Sequence, residues 1–402
     1  MRAHHLSIVM SLVVAASAVP ASAQVRPGIE VVLTDSARLI DGRRIGLLSN
    51  QTGVDRQGNR DVDVLRAHGF RVTALFGPEH GFQGNEDRPG LPDAVDSATG
   101  LPIYSLYGGS ESKAEAALAA IDVLVIDLQD IGARYYTYPA SATSLMRDAT
   151  KLGKPVVVLD RPDPIGGALV QGNVRAQIGD PDSEFVGFLP VAMRHGMTLG
   201  ELLRMTNDQL GIHAQLTVVP AAGWRRGMAY DSTGLPWIKP SPNLPDLESA
   251  YHYPGLCLFE GTNLSVGRGT PFAFQVVGAP WIDAERWRWA LRRAPGVSVD
   301  TVTFTPVHPT DGKYDGVSLH GLRFRVTDRL VYDPTALAMR LIYTLRQLYP
   351  AQFTIHVSQF DRLAGQGTSA DIEKGLPLKT MMRRWGTGLA LFRKERAKYL
   401  LY

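Results

Sequence analysis

The chain has 402 residues, and 42 Lys and Arg stand against 39 Asp and Glu, which gives a formal net charge of +3. This near balance, without a run of basic residues, argues against nucleic acid as a partner. The single cysteine, Cys257, excludes an intramolecular disulfide, and its apolar neighbours Leu256 and Leu258 predict a buried thiol. A chain of this length exceeds the usual single core, so two domains are expected.

Residues 1–23 have the features of a secretory signal peptide. Arg2 gives a positive start, residues 6–18 are apolar, and Ala21-Ser22-Ala23 matches the small-residue cleavage signal. The apolar run is too short for a good membrane span, and no later stretch reaches the length of one. We therefore expect a mature chain that starts at Gln24 and is exported to the periplasm or secreted, without a membrane span.

From residue 24 to about residue 220 the pattern alternates between strands and helices. Short runs rich in Val, Ile and Leu predict buried parallel strands at residues 45–48, 72–76, 123–126 and 156–159. Amphipathic or capped stretches predict helices at residues 62–67, 112–120, 139–151 and 202–208. This alternation predicts an α/β, Rossmann-like catalytic domain over residues 24–240. Neither the dinucleotide glycine motif nor the P-loop motif occurs, so no nucleotide cofactor is expected.

The rest of the chain predicts a second, smaller domain of α+β type over residues 241–402. Residues 235–254 contain five prolines, which favours a stiff, extended connector at the boundary. The elements predicted after it are strands at 272–277 and 322–326 and helices at 284–293 and 334–348. The tail, residues 377–402, is predicted to be helical and to pack back on the body.

Polar side chains follow the predicted strands of the first domain at the points where the strands end. They are Asn50 after the first strand, Glu79 and His80 after the second, Asp127 and Gln129 after the third, and Asp160 and Arg161 after the fourth. Ligands of open parallel sheets bind in the crevice at the carboxyl ends of the strands. The sequence therefore predicts a site at this edge of the sheet.

Glu79 is the first candidate for chemistry, because Gly77-Pro78 should place it on a tight turn directly after the second strand. A general acid needs a carboxyl whose pKa is raised by an apolar wall, and Phe76 and Phe82 could supply that wall. The alternative is a helix cap or a solvated loop acid. His80 could orient the acid or bind substrate, or it could be structural.

The segment from Asp127 to Tyr138 combines polar and aromatic side chains after a core strand. Asp127 and Gln129 should share one face of the chain, because a single residue separates them. Asp127 is also a catalytic candidate, since the carboxylate that works with Glu79 is expected to be Asp127, Asp130 or Glu260. Sugar rings are commonly held between aromatic faces and polar groups, a use that Tyr135 and Tyr136, next to Arg134, would fit. The alternative is a tyrosine-rich helix start that packs on the sheet.

Two further segments contain binding candidates. Asp160 and Arg161 could form a structural ion pair or an anion clamp. Arg194 and His195 precede a helix that begins with the capping box Thr198–Glu201, and a helix N-terminus is a ready anion site. His195 could equally be a structural histidine.

The glycine-dense loop at residues 260–270 contains three more candidates, Glu260, Asn263 and Arg268. Its glycines permit close approach of the backbone to a ligand, although such loops are also simple connectors. The ten histidines are scattered and no paired-ligand motif occurs, so no metal site is predicted.

Taken together, these segments resemble a bacterial family of exo-acting β-N-acetylmuramidases. The matching stretches are residues 46–53, 75–81, 105–108, 127–138, 160–164, 194–198, 241–245, 253–255, 260–270 and 399–402. The resemblance implies a cleft between a Rossmann-like and a smaller C-terminal domain. It also implies release of terminal N-acetylmuramic acid (MurNAc) from the non-reducing ends of peptidoglycan fragments during cell-wall turnover, with Glu79 as the catalytic acid. Asp163 and Val266 depart from the family pattern.

Two other classes of function remain as alternatives. One is a non-catalytic periplasmic protein that binds a sugar or peptidoglycan, and the other is a hydrolase of another bond, such as an amidase or esterase. Selectivity for MurNAc would require a cation for the lactyl carboxylate, and arginine suits this because its planar fork grips a carboxylate with two hydrogen bonds. Of Arg134, Arg161, Arg194 and Arg268, the last two are preferred.

Overall fold

A computed structural model describes residues 24–402 of the chain. The predicted signal peptide, residues 1–23, lies outside the described residues. Within residues 24–402, none of the helices combines the length and the hydropathy that a membrane crossing requires.

The first part of the chain is built around one seven-stranded sheet. The strands in this part are β1 (Arg44–Ser49), β2 (Arg71–Gly77), β3 (Ala94–Val95), β4 (Pro102–Ser105), β5 (Val123–Asp127), β6 (Val156–Leu159), β7 (Gln171–Val174), β8 (Ala192–Arg194) and β9 (Leu216–Val219). The sheet order is β3-β4-β2-β1-β5-β6-β9, and β7 pairs with β8 in a separate hairpin. All neighbours in the large sheet are parallel except β3 and β4. The predicted parallel α/β sheet is confirmed.

Helices cover both faces of this sheet, which explains why its central strands are apolar along most of their length. They are α1 (Gly28–Asp35), α2 (Asp61–Ala67), α3 (Glu111–Ala120), α4 (Tyr138–Lys151) and α5 (Leu199–Gln209). Along β1, Leu47 packs in one core and Leu48 in the core on the opposite face. The predicted capping box of α5 is present, with Thr198 accepting from the Glu201 backbone and Glu201 accepting from the Thr198 backbone.

The second part of the chain forms a smaller α+β unit. Its elements are α6 (Leu247–Leu256), β10 (Val276–Ala279), α7 (Ala284–Leu291), β11 (Val297–Phe304), β12 (Leu319–Val326), α8 (Pro334–Leu348), α9 (Val357–Ala364), α10 (Thr368–Glu373) and α11 (Leu378–Arg396). The three strands form an antiparallel sheet in the order β10-β12-β11. Asp333 caps α8 by accepting hydrogen bonds from Thr335 N and Ala336 N, both at 3.0 Å.

Two predicted elements were wrong in extent. The strand predicted at residues 272–277 starts only at Val276, because Phe274 has a positive φ of 60° and sits in a turn. The connector predicted at residues 235–254 ends early, because Asp246 caps Ser249 N at 2.8 Å and starts α6. That helix contains Pro254 within its last turn, where only one intrahelical hydrogen bond is lost.

The C-terminal tail packs back on the body of the protein, as predicted, and its last residue reaches the first sheet. Helix α11 packs against β7 and ends at Arg396, and the last residues continue without regular structure. The Tyr402 hydroxyl donates to Asp160 Oδ2 and accepts from Ala221 N, both at 2.8 Å. The tail therefore contacts the carboxyl end of β6 and closes off that part of the sheet edge.

Candidate active site

A cleft lies between the loop that follows β2 and the loops around the second sheet. It consists of an inner cavity of about 150 Å³ and an outer cavity of about 430 Å³. The walls shared by both cavities are Glu79, His80, Asp87, Glu260 and Arg268. Three carboxylates and one guanidinium therefore converge on a single space between the two parts of the chain.

Glu79 enters the cleft from a turn at the end of β2. The predicted turn is present, with Gly81 N bonded to Pro78 O at 3.0 Å. The half-buried carboxylate of Glu79 accepts a hydrogen bond from Thr137 Oγ1 at 2.5 Å. Within residues 24–402, no Lys, Arg or His forms an ion pair with Glu79. Its carboxyl group is thus held by a neutral hydroxyl rather than by a cation.

His80 completes the same turn and is fixed in place. Its φ of 70° lies in the left-handed region that side chains rarely adopt, a conformation that is often retained at functional sites. Its Nδ1 lies 2.8 Å from the Glu86 carbonyl oxygen, so this nitrogen carries the proton and donates. His80 therefore orders the loop that leads to Asp87.

Phenol groups surround the catalytic candidate. Burial, followed by the negative charge of Glu79, raises the pKa of Tyr107 to about 12. Burial also raises the pKa of Tyr136 well above its usual range. Both hydroxyls stay protonated at neutral pH and can donate hydrogen bonds. Tyr135, by contrast, also lines the inner cavity but donates its hydroxyl to Pro254 O at 2.5 Å.

Arg268 joins the two other carboxylates of the cleft. Its Nε donates to Glu260 Oε1 at 2.6 Å, and its Nη1 lies 3.5 Å from Asp87 Oδ2. Burial raises the pKa of Asp87, but hydrogen bonds from Thr310 and Asn243 and the charge of Arg268 outweigh it and lower the pKa overall. Asp87 is therefore an anion at neutral pH. Of the three carboxyl groups on the walls that both cavities share, Glu79 therefore has no cationic partner among the described residues, whereas Asp87 and Glu260 both contact Arg268.

The structure brings six of the predicted site residues together on the cleft walls and places the others elsewhere. Those on the walls are Glu79, His80, Tyr135, Tyr136, Glu260 and Arg268. Those away from the walls are Asn50, Asp127, Gln129, Arg134, Asp160, Arg161, Arg194, His195 and Asn263.

The polar groups at the ends of β1 and β5 bond to the protein itself. Asp127 is fully buried and pairs with Arg161, whose Nη2 lies 2.9 Å from Asp127 Oδ2. Asn50 donates to the Tyr138 hydroxyl at 2.8 Å, and Gln129 donates to Pro162 O at 2.9 Å. These side chains fix the loops behind the cleft.

The candidates near β6 and β8 are also engaged in structural contacts. Asp160 accepts from Thr198 Oγ1 at 2.7 Å and from Gly200 N at 2.9 Å, so it holds the start of α5. Arg194 donates to Gln171 Oε1 at 3.0 Å. His195 Nδ1 accepts from Met197 N at 3.1 Å.

Two more candidates, Arg134 and Asn263, tie backbone segments together. Arg134 is buried and donates to Asn173 O at 2.9 Å and Val191 O at 3.1 Å. Asn263 donates to Gln352 O at 2.8 Å. Neither the Arg134 guanidinium nor the Asn263 amide is part of the cleft walls.

Several polar and aromatic cleft residues were not predicted from the sequence. They include Asp87, Arg88, Tyr107, Thr137, Asn243, Thr310, Asp311 and Lys313. Tyr107, Thr137 and Asn243 lie in stretches that carried the family resemblance, which was the available signal for these three. Asp87 had none, since it follows a loop without periodicity. Within residues 24–402, no group of three or more His, Cys, Asp or Glu could hold a metal ion.

The fold and the cleft define a two-part α/β protein with a carboxylate-lined pocket of the kind that glycoside hydrolases use. Family models of the exo-β-N-acetylmuramidase NamZ match residues 45–248 for the N-terminal domain and residues 251–402 for the C-terminal domain. The chain belongs to this family.

Similar proteins span nearly the whole chain. A peptidoglycan β-N-acetylmuramidase NamZ from Bacillus subtilis (strain 168) is 38% identical over 386 residues, which are 94% of this chain and 92% of the relative. Two crystal structures of DUF1343 family proteins from Bacteroides fragilis are each 31% identical and cover 94% of this chain and 99% of their own. They superpose with TM-scores of 0.84 and 0.73.

Proposed function

We propose that this glycoside hydrolase removes terminal MurNAc from the non-reducing ends of peptidoglycan fragments, with Glu79 as the general acid. Membership of the exo-β-N-acetylmuramidase family supports the reaction, and the Bacillus relative supports peptidoglycan as the source of substrate. The observation that carries the assignment of Glu79 is its placement. It is the one cleft carboxyl, within the described residues, that has a hydroxyl partner and no ion pair.

Because Glu79 has no ion pair in the described part of the chain, and Asp87 and Glu260 both contact Arg268, the carboxyl groups have different roles in the reaction. Glu79 gives its proton to the glycosidic oxygen as the bond from that oxygen to the anomeric carbon breaks. Positive charge then develops on the sugar ring, and the anions Asp87 and Glu260 stabilise it. Water adds to the anomeric carbon and returns a proton, so that MurNAc and a shortened saccharide leave.

The size of the cleft is consistent with removal of single terminal residues. The cleft narrows from an outer cavity of about 430 Å³ to an inner cavity of about 150 Å³, a shape that suits a chain end with its terminal sugar in the inner part. Of the acids that the sequence offers as the second carboxylate, Asp127 and Asp130 are buried outside the cleft walls. Glu260 and Asp87 are therefore the remaining candidates for that role.

A pair of isomeric disaccharides tests this function. The purified protein should hydrolyse MurNAc-N-acetylglucosamine, which has MurNAc at its non-reducing end, and release free MurNAc. It should leave N-acetylglucosamine-MurNAc intact. Binding of both without cleavage would instead support a binding protein, and cleavage of only a peptide-linked or ester-linked fragment would support an amidase or esterase.

We also propose that Arg88, which lines the outer cavity, binds the lactyl carboxylate of MurNAc and so selects this sugar. Among the four arginines that the sequence suggested, only Arg268 lines the cleft, and its Nε and Nη1 are already engaged by Glu260 and Thr310. Arg88 also lines the outer cavity, and its ion pair with Glu86 is exposed and thus weak. Its guanidinium is therefore free to turn towards a ligand.

Arg88→Met is expected to lower kcat/KM for the MurNAc disaccharide about tenfold, the lower end of the range for a charge-assisted hydrogen bond. Residual hydrolysis of chitobiose, which lacks the lactyl group, should be unchanged. Arg268→Met should lower both activities, because Arg268 also holds Glu260 and Asp87. An equal effect of Arg88→Met on the two substrates would assign lactyl recognition to another group.

We further propose export of the chain with cleavage after Ala23. The charged start, apolar run and Ala21-Ser22-Ala23 support this proposal. Intact-mass analysis of protein expressed from the full sequence in a bacterial host should find a periplasmic or secreted chain that starts at Gln24. Recovery of the uncleaved chain in the cytoplasm alone would contradict export.

A further inference from the structure

Lys313 makes an unusual set of contacts at the edge of the cleft. It lies in the loop between β11 and β12 and lines the outer cavity. Its Nζ is surrounded by four backbone carbonyl oxygens, those of Phe259 at 3.3 Å, Glu260 at 3.0 Å, Thr262 at 2.7 Å and Leu264 at 3.2 Å. Within residues 24–402, no carboxylate pairs with this ammonium group. The four carbonyl dipoles are its direct partners, and the charges of Asp311 and Glu260 act on it from a greater distance.

The four carbonyls belong to the segment that presents Glu260 to the cleft. A 3₁₀ helix at Cys257–Gly261 ends within this segment, and the last carbonyls of a helix have no partner inside it. A cation at this end also interacts favourably with the helix dipole. Burial lowers the pKa of Lys313. Phe259 O already accepts hydrogen bonds from Thr262 N at 3.0 Å and Thr262 Oγ1 at 2.8 Å, so the ammonium chiefly serves the carbonyls of Glu260, Thr262 and Leu264.

The same lysine ties a second wall of the cleft to this segment. Next to it, the Tyr314 hydroxyl donates to Asn263 O at 2.7 Å. The loop also brings Thr310 within 3.3 Å of Arg268 Nη1. The β11–β12 loop and the segment at residues 259–264 are thus held together from both sides, with Lys313 at the centre.

We propose that Lys313 is a positioning residue for the hydrolysis, because its ammonium group fixes the turn that aims Glu260 and its partner Arg268 at the inner cavity. This inference rests on the proposed function for its kinetic part. It also makes a claim that does not depend on that function: without the lysine side chain, the four carbonyls form a site for a monovalent cation. Rings of backbone carbonyls bind K⁺ in this way, and NH₄⁺ is similar to K⁺ in size and charge.

Lys313→Ala, assayed in NaCl, is expected to lower kcat on the MurNAc disaccharide by roughly tenfold to a hundredfold with little change in KM, since small misplacements of reacting groups have effects of that size. Replacing NaCl by NH₄Cl or KCl at equal ionic strength should restore part of the lost kcat. Lys313→Met should lose activity in the same way but gain nothing from these salts, because its side chain occupies the site. The exposed Lys374→Ala and the wild type serve as controls and should show no preference among the salts.

Melting temperature supplies a readout that does not need catalysis. Lys313→Ala should melt at a higher temperature in NH₄⁺ or K⁺ than in Na⁺, whereas the wild type and Lys313→Met should melt at the same temperature in all three.

If the wild type does not cleave the disaccharide, the proposed function is wrong. The melting temperature of Lys313→Ala in the three salts then still tests the carbonyl site. Wild-type kcat in Lys313→Ala and Lys313→Met, or a loss of kcat in Lys313→Ala that is equally large in NaCl, KCl and NH₄Cl, would overturn the role of Lys313. If Lys313→Ala does not fold in any of the salts, unchanged kcat in Lys313→Met overturns the proposal and a fall in kcat at constant KM supports it.

Discussion

Glu79→Gln is expected to lower kcat on the MurNAc disaccharide by roughly 10²- to 10⁴-fold, the usual contribution of a general acid, while KM and folding stay close to those of the wild type. The amide retains an oxygen that can accept the hydrogen bond from Thr137, so the turn at the end of β2 should persist. The amide N–H is too weak an acid to transfer a proton to the leaving oxygen, which the protonated carboxyl of Glu79 can do. Steady-state kinetics together with circular dichroism would measure the effect.

A matched control is available on a helix away from the cleft. Glu115→Gln on α3 makes the same chemical change at an exposed position and should leave kcat and KM unaltered. Retention of wild-type kcat in Glu79→Gln would remove Glu79 from the catalytic step, whatever the family membership implies.

The largest expected effect on stability comes from the buried ion pair behind the cleft. Arg161→Met should lower the free energy of unfolding by about 3–5 kcal/mol at neutral pH, because it leaves a buried carboxylate without its cation. Arg161 contacts Asp127 Oδ2 at 2.9 Å and also donates to Val54 O at 2.8 Å. Asp61, buried nearby, has its pKa raised well above its usual value by burial and then by the charge of Asp127. Urea unfolding would measure the loss.

The pH dependence and a double variant sharpen this test. Burial raises the pKa of Asp127 even beside Arg161, and without the arginine it should rise further. A carboxyl whose folded-state pKa exceeds the unfolded value of about 3.9 favours folding as the pH falls, so the stability deficit of Arg161→Met should shrink from pH 7 towards pH 4. Adding Asp127→Asn should recover much of the loss at pH 7. A pH-independent deficit, equal in the single and double variants, would show that lost packing and not the buried charge is responsible.

Much of the fold was predictable because its local signals agree with its tertiary structure. Parallel strands covered on both faces must be apolar along their buried parts, and residues 45–48 of β1, 74–76 of β2, 123–126 of β5 and 156–159 of β6 are. Side-chain caps such as Asp333 fix helix starts within a few residues of sequence. The strand at 272–277 was wrong in extent because Phe274 has a positive φ and packs under Arg268, 5.4 Å from guanidinium to ring centre, and neither feature has a local signature.

The site was only partly predictable because a polar residue at a strand end has two possible uses. Glu79 faces the cleft, whereas Asp127 and Asp160 face partners inside the protein, and the three look alike in sequence. Asp87 shows the opposite case. Its position depends on Asn243, which donates to it at 2.6 Å from 156 residues away, and on Arg268. Contacts of that sequence separation are created by the fold and cannot be inferred from spacing.

The role of Glu79 as proton donor is tested most directly by varying the leaving group. A 2,4-dinitrophenyl β-glycoside of MurNAc has a leaving group that departs without protonation, whereas the sugar alkoxide of the MurNAc disaccharide does not. The ratio of wild-type to Glu79→Gln kcat/KM should therefore be roughly 10²–10⁴ for the disaccharide and close to one for the dinitrophenyl glycoside. An equally large ratio for both substrates would contradict the assignment of Glu79 as the general acid.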